Sequence, residues 1–141
     1  MYLVDTNVWI ESLLLQANAN EADQFFRSIS PRELLITDFS THSIILKLHR
    51  LNMHAKAVEF ADDLLLAPQV TVITILPSHL PSVLKCMLST GLDYDDAYQY
   101  VAAEANNATI VTFDADFTKT PRGGKSPGQA VAERRTTPGS P

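Results

Sequence analysis

Tyr2-Leu3-Val4-Asp5, Leu34-Leu35-Ile36-Thr37-Asp38 and Thr109-Ile110-Val111-Thr112-Phe113-Asp114 share one pattern, a short apolar run closed by an aspartate. Runs of β-formers without polar alternation suit strands buried on both faces of a parallel sheet. The terminal aspartate then marks where each strand leaves the sheet. Ligands of open α/β sheets bind outside the carboxyl ends of the strands. If these strands lie side by side, Asp5, Asp38 and Asp114 meet in one crevice. Gathered carboxylates repel and are costly to desolvate, and a bound cation offsets both effects.

Outward from these runs, strand and helix alternate. Thr6 or Asn7 is placed to cap a helix whose inner face is Val8, Ile10, Leu13 and Leu14. A second helix is expected over 18–29, with Ala22, Phe25, Phe26 and Ile29 inward, broken by Ser30-Pro31. The second strand covers about 33–37, and Ser40 or Asp38 caps a helix bearing Ile44, Ile45, Leu46 and Leu48. A fourth helix spans 54–66, ended by Ala67-Pro68. The β-branched run 70–76 is the third strand. Pro77-Ser78 opens a helix to Thr90 that Gly91 stops, and 93–106 is the last helix before strand 108–113. Such alternation predicts an α/β fold, a three-layer α/β/α sandwich around a mainly parallel sheet. The domain is expected over 1–118. Residues 119–141, rich in Pro, Gly, Ser, Thr and Arg, read as a flexible tail with room for one short edge strand.

At 141 residues the chain fits one domain, and 45% apolar with 19% charged residues suits a globular protein. No run approaches the ~18 apolar residues of a membrane span. The first residues enter a strand with no signal-peptide core, and a lone cysteine, Cys86, fits a reducing cytoplasm. The net charge of −5 disfavours simple phosphate binding, unless divalent cations invert the local field.

Each acidic motif has a plain structural explanation beside a chemical one. Asp5-Thr6-Asn7 alone is a helix cap, but the strand before it puts the carboxylate at the sheet edge, where Thr6 and Asn7 can orient it. Acids in a first helical turn are favoured by free N–H donors. Asp93, Asp95 and Asp96 are more than capping needs. Asp96 precedes the apolar Ala97, Tyr100 and Val101, which places it on the core side. Asp93 is a weaker candidate, and both Asp93 and Asp95 are expected toward solvent. Asp114 and Asp116 are two apart, so an extended chain points both into one cleft, with Thr112 free to hydrogen-bond a neighbouring carboxylate. His42 lies four residues after Asp38 and shares its helix face. No zinc spacing, glycine-rich phosphate loop or serine-hydrolase elbow occurs.

Together, Tyr2-Leu3-Val4-Asp5-Thr6-Asn7-Val8, Asp95-Asp96-Ala97 and Ile110-Val111-Thr112-Phe113-Asp114-Ala115-Asp116-Phe117 resemble the motifs of PIN-domain ribonucleases, especially small VapC-type toxins. The resemblance covers residues 1–118. It implies an endoribonuclease using Mg²⁺ or Mn²⁺, with Asp5, Asp96 and Asp114 as catalytic metal ligands and Asp116 beside them. It also implies an RNA substrate, a small antitoxin over the cleft and a homodimer. The chain departs from the family near Ser43, where a glutamate is usual. Asp38 can supply that charge, with His42 assisting. Two other readings stand beside this one. A catalytically degenerate PIN-like module would bind RNA or a protein partner. A phospho-receiver domain needs a carboxylate after strand three, where this chain has Ile75-Leu76-Pro77.

Overall fold

The computed structural model describes residues 1–66 and 69–137. Four parallel strands, β1 (Tyr2–Val4), β2 (Leu34–Thr37), β3 (Thr71–Ile73) and β4 (Thr109–Val111), form one sheet in the order β3-β2-β1-β4. Leu3 pairs with Leu35 on one side and with Ile110 on the other. The chain runs outward from β1 to β3 and then crosses back to lay β4 on the far side of β1. The strand order therefore reverses between β1 and β4, and a crevice opens at their carboxyl ends.

Among the described residues, seven α-helices cover the sheet: α1 (Thr6–Leu13), α2 (Ala19–Ser28), α3 (Asp38–Arg50), α4 (His54–Leu66), α5 (Leu80–Thr90), α6 (Tyr94–Ala105) and α7 (Pro127–Thr136). Side chains alternate across a strand, and the core divides accordingly. Leu3, Leu35 and Ile110 pack with Val83 and Cys86 of α5 and Ala97, Tyr98, Ala102 and Ala103 of α6. Val4, Leu34 and Val111 pack on the opposite face with Phe25 of α2 and Ala130 and Val131 of α7. Ile36 joins Ile44, Leu48 and Phe60 of α3 and α4. The result is the expected three-layer α/β/α sandwich.

Local chemistry explains the helix ends. Thr37, rather than Ser40 or Asp38, caps α3: its hydroxyl accepts from the Ser40 amide at 2.9 Å. Gly91 ends α5 at φ +74°, a left-handed conformation that favours glycine. Leu46 lies on the exposed side of α3 rather than in the core. The third strand is shorter than the β-branched run suggested. It lies at the sheet edge with Val72 exposed, where only one neighbour supplies hydrogen bonds. The break proposed at Ala67-Pro68 lies outside the described residues.

The flexible tail is a correction. The chain turns through a 3₁₀ segment (Ala115–Lys119), pairs Lys125 beside Val111 in one parallel bridge, and enters α7 through a capping box of Ser126 and Gln129. A Cβ added at Gly124 would come within 2.9 Å of the Thr112 methyl, so only glycine permits this close approach. Ala130 and Val131 are buried against α2, and Arg134 donates to Glu33 at 2.7 Å. Few large apolar residues mark this stretch, yet two small ones at adjacent positions suffice to seat a short helix in a preformed groove. Residues 138–141 of the expected tail lie outside the described residues.

Candidate metal centre

The crevice between β1 and β4 is a cleft of about 320 Å³, lined by Asp5, Asn7, Ser43, Asp96, Gln99 and Asp114 among others. Asp5 sits at the N-cap position of α1, but its carboxylate makes no cap hydrogen bond. It is held instead from three other directions. Gln99 Nε2 donates to Oδ1 at 2.5 Å, while Thr112 Oγ1 at 2.6 Å and Asn7 Nδ2 at 3.0 Å donate to Oδ2. Capping is therefore not what this aspartate does. Burial pushes its carboxyl above the usual range, against the pull of the Thr112 and Gln99 hydrogen bonds.

Thr112 and Asn7 also fix the loop that follows β4. Thr112 Oγ1 accepts from the Asp114 amide at 2.9 Å, and Asn7 Oδ1 accepts from the Phe113 amide at 3.2 Å. Asp114 Oδ1 then accepts from the Asp116 amide at 2.8 Å, which turns the chain into the 3₁₀ segment. The extended geometry expected for Asp114 and Asp116 is thus replaced by a turn: Asp114 lines the cleft, whereas Asp116 lies at its rim, half exposed, and accepts from the Lys119 ammonium at 2.9 Å. Asp96, in the first turn of α6, completes the group: one oxygen each of Asp96, Asp114 and Asp116 lies within 4.8 Å of the others.

Electrostatically the group is under load. Asp96 is pushed up to about 7, first by burial and then by the charges of Asp93, Asp5, Asp114 and Asp116. Such a cluster either holds protons or holds a cation. The donor set is all oxygen, which suits a hard divalent ion. A further mark is Gln99 Oε1, buried and without a hydrogen-bond partner among the described residues, on a side chain that lines the cleft. Such an orphaned acceptor, on the side chain that donates to Asp5, is the kind of buried polar atom that an ion or ordered water satisfies.

Other candidates fall elsewhere. Asp38 does not line the cleft: its Oδ1 accepts from the Tyr98 hydroxyl and the Phe39 amide, each at 2.8 Å. The geometric reason is that α3 begins at Asp38 itself, so the carboxylate turns toward α6 rather than across the sheet edge. His42 is exposed and outside the cleft, whereas Ser43 lines it. Asp93 is exposed and caps α6 by accepting from the Asp96 amide at 3.1 Å. Thr6 lines the cleft, as does Asp95, which is exposed to solvent as expected. The inner face of α6 is Ala97, Tyr98, Ala102 and Ala103, while Tyr100 and Val101 are only partly buried. Gln99 and Lys47 went unread. Their signal was spacing: Gln99 follows Asp96 by three residues, and Lys47 follows Ser43 by four.

Comparison with known proteins bears on the fold and the family. No curated protein matches the sequence. Among solved structures, a toxin-antitoxin complex from Klebsiella pneumoniae is 19% identical, covering 90% of this chain and 98% of that one, with a TM-score of 0.71. A sarcin-ricin loop cleaving toxin of Mycobacterium tuberculosis is 19% identical over 84% and 93% of the two chains (TM-score 0.73). FitAcB from Neisseria gonorrhoeae is 18% identical over 90% and 98% (TM-score 0.75). These likenesses are of fold. The family model of the PIN domain matches residues 2–123, nearly the whole described chain, and the protein belongs to the PIN domain family.

Proposed function

We propose that this protein is a divalent-cation-dependent endoribonuclease. The observation that carries the reading is the convergence of Asp96, Asp114 and Asp116 within 4.8 Å, beside the buried Asp5, at the reversal point of the sheet. A Mg²⁺ or Mn²⁺ ion bound there supplies a Lewis acid for the phosphodiester and a more acidic water as nucleophile. Asp96 and Asp114 hold it, with Asp116 alongside. Asp5 contributes a carboxylate kept in one rotamer by Gln99, Thr112 and Asn7. RNA rather than DNA is the family's expectation from the sequence motifs.

Two of the structural neighbours are described as a toxin-antitoxin complex and as a sarcin-ricin loop cleaving toxin. By analogy the chain acts as the toxin of such a pair in the cytoplasm, with a small protein antitoxin over the cleft and a homodimer as its assembly. No helix among the described residues is long and apolar enough to cross a membrane.

The test is cleavage of labelled RNA with Mg²⁺ or Mn²⁺ added, using the wild type, Asp5→Asn and Asp96→Asn. Cleavage that needs the cation and vanishes in both variants supports the proposal; cleavage that persists in either one refutes it. One observation favours a second reading, a degenerate module that binds RNA or protein without cutting. Ser43 stands in the cleft where the family has a glutamate. Under that reading Mn²⁺ neither binds nor promotes cleavage.

A further inference from the structure

The cleft has two chemically different sides. Asp5, Asp95, Asp96 and Asp114 line one, and α3 lines the other with Phe39, Ser43 and Lys47, spaced by four residues and so on one helix face. Glu11 of α1 also lines the cleft, its carboxylate accepting from the Asn18 amide at 2.7 Å. Lys47 is the one basic side chain lining the cleft. It is exposed, and among the described residues it makes no hydrogen bond or ion pair. An ammonium group left unpaired opposite several carboxylates has a role that those carboxylates do not satisfy. We infer that Lys47 is a phosphate-binding residue that fixes the RNA strand against the α3 side of the cleft.

The inference rests on the ribonuclease reading and adds the way substrate is held. A phosphodiester entering an acidic cleft meets repulsion from every carboxylate that a cation does not neutralise. With Ser43 in place of a carboxylate, α3 itself contributes no acid to the cleft lining among the described residues. A fixed ammonium there supplies positive charge directly. Its three donors and flexible stem suit a single phosphate oxygen approached from varied angles. Phe39, one helical turn before Ser43, is partly buried against Tyr94 and Tyr98 at ring separations of 6.0 and 5.6 Å. An aromatic ring fixed in this way and lining the same side offers a face on which an unpaired base stacks. Lysine for phosphate and ring for base together describe a single-stranded segment lying along α3.

The experiment measures Mn²⁺ binding by electron paramagnetic resonance. It also measures affinity for a short fluorescein-labelled single-stranded RNA by anisotropy, over a range of salt, and cleavage kinetics. The proteins are the full-length wild type, Lys47→Gln and Lys47→Arg. One Mn²⁺ per chain is expected, unchanged in both variants. In Lys47→Gln the RNA affinity falls about ten-fold, seen as a higher KM more than a lower kcat. Its dependence of log affinity on log salt is shallower by about 0.7, as for one lost phosphate contact, and Lys47→Arg restores both. Unchanged affinity and salt slope in Lys47→Gln, or two Mn²⁺ per wild-type chain, overturns the role of Lys47 while leaving the nuclease reading intact. Absence of both Mn²⁺ binding and cleavage in the wild type overturns the nuclease reading and this inference with it.

Discussion

On the sheet side of the cleft, Asp5 accepts three side-chain hydrogen bonds, and Thr112 and Asn7 pass that order on to the loop bearing Asp114. On the α3 side, the side chains of Ser43 and Lys47 make no hydrogen bond among the described residues. The first side is fixed before any ligand arrives, and holding like charges together there costs energy that a cation recovers. The second is free to adjust to whatever strand enters. Under the proposed function, preorganisation in this cleft would serve the ion and adaptability the polymer.

The contrast breaks most completely if the carboxylates are removed. Asp114→Asn combined with Asp116→Asn deletes two of the three clustered charges. Calorimetric Mn²⁺ affinity is expected to fall by more than the ~100-fold upper end seen for outer-shell partners. A retained affinity would mean that the ion, if any, sits elsewhere.

Gln99→Leu probes the hydrogen-bonded side alone. It takes one donor from a buried carboxylate, at a cost of about 1–3 kcal/mol in unfolding free energy. It also weakens Mn²⁺ binding by about 10- to 100-fold. Denaturant melts and titration of the same variant separate the two effects.

Acid strength gives a third test. The Asp96 carboxyl ionises near 7 in the folded chain against 3.8 as its ordinary value, and Asp5 is raised as well. A raised acid binds its proton more tightly when folded, so its contribution to stability is complete below pH 3.8. That contribution is lost as pH rises toward about 7. The cation-free protein should melt at a lower temperature at pH 7.5 than at pH 5 in respect of this group, and Mn²⁺ should reverse the loss at the higher pH. A cation that stabilises equally at both pH values would contradict the assignment of Asp96. The smallest effects are expected from Asp38→Ala and His42→Ala. The first loses the Tyr98 hydrogen bond and about 1 kcal/mol, and the second changes stability by no more than ~0.5 kcal/mol. Mn²⁺ binding should survive in both.

The same division governs how much could be read from the sequence. Strand ends announce themselves, because an apolar run must stop where the sheet stops, and that pattern marks Asp5 and Asp114, which line the cleft, and Thr112, which donates to Asp5. Asp96 was found because three acids exceed what a helix start requires. The α3 side was misread. Whether Asp38 or Ser43 faces the cleft depends on where the helix begins, and a shift of one residue turns a side chain by about 100°. Thr37 as the cap sets that phase, whereas the sequence pointed to Ser40 or Asp38 as the cap. Gln99 was missed because its partner, Asp5, lies 94 positions away, beyond the reach of any local pattern. Helix α7 was missed for a related reason: its stability comes from the groove it enters, not from its own composition.

The position of β1 has a consequence for the order of assembly. It is an interior strand whose partners are residues 34–35 and 109–111. A ribosome making this chain releases Asp5 first and Thr112 more than a hundred codons later. Until then the nascent polypeptide lacks the neighbour that shelters its earliest acid, so the crevice is born late in translation, and a prematurely terminated product has none.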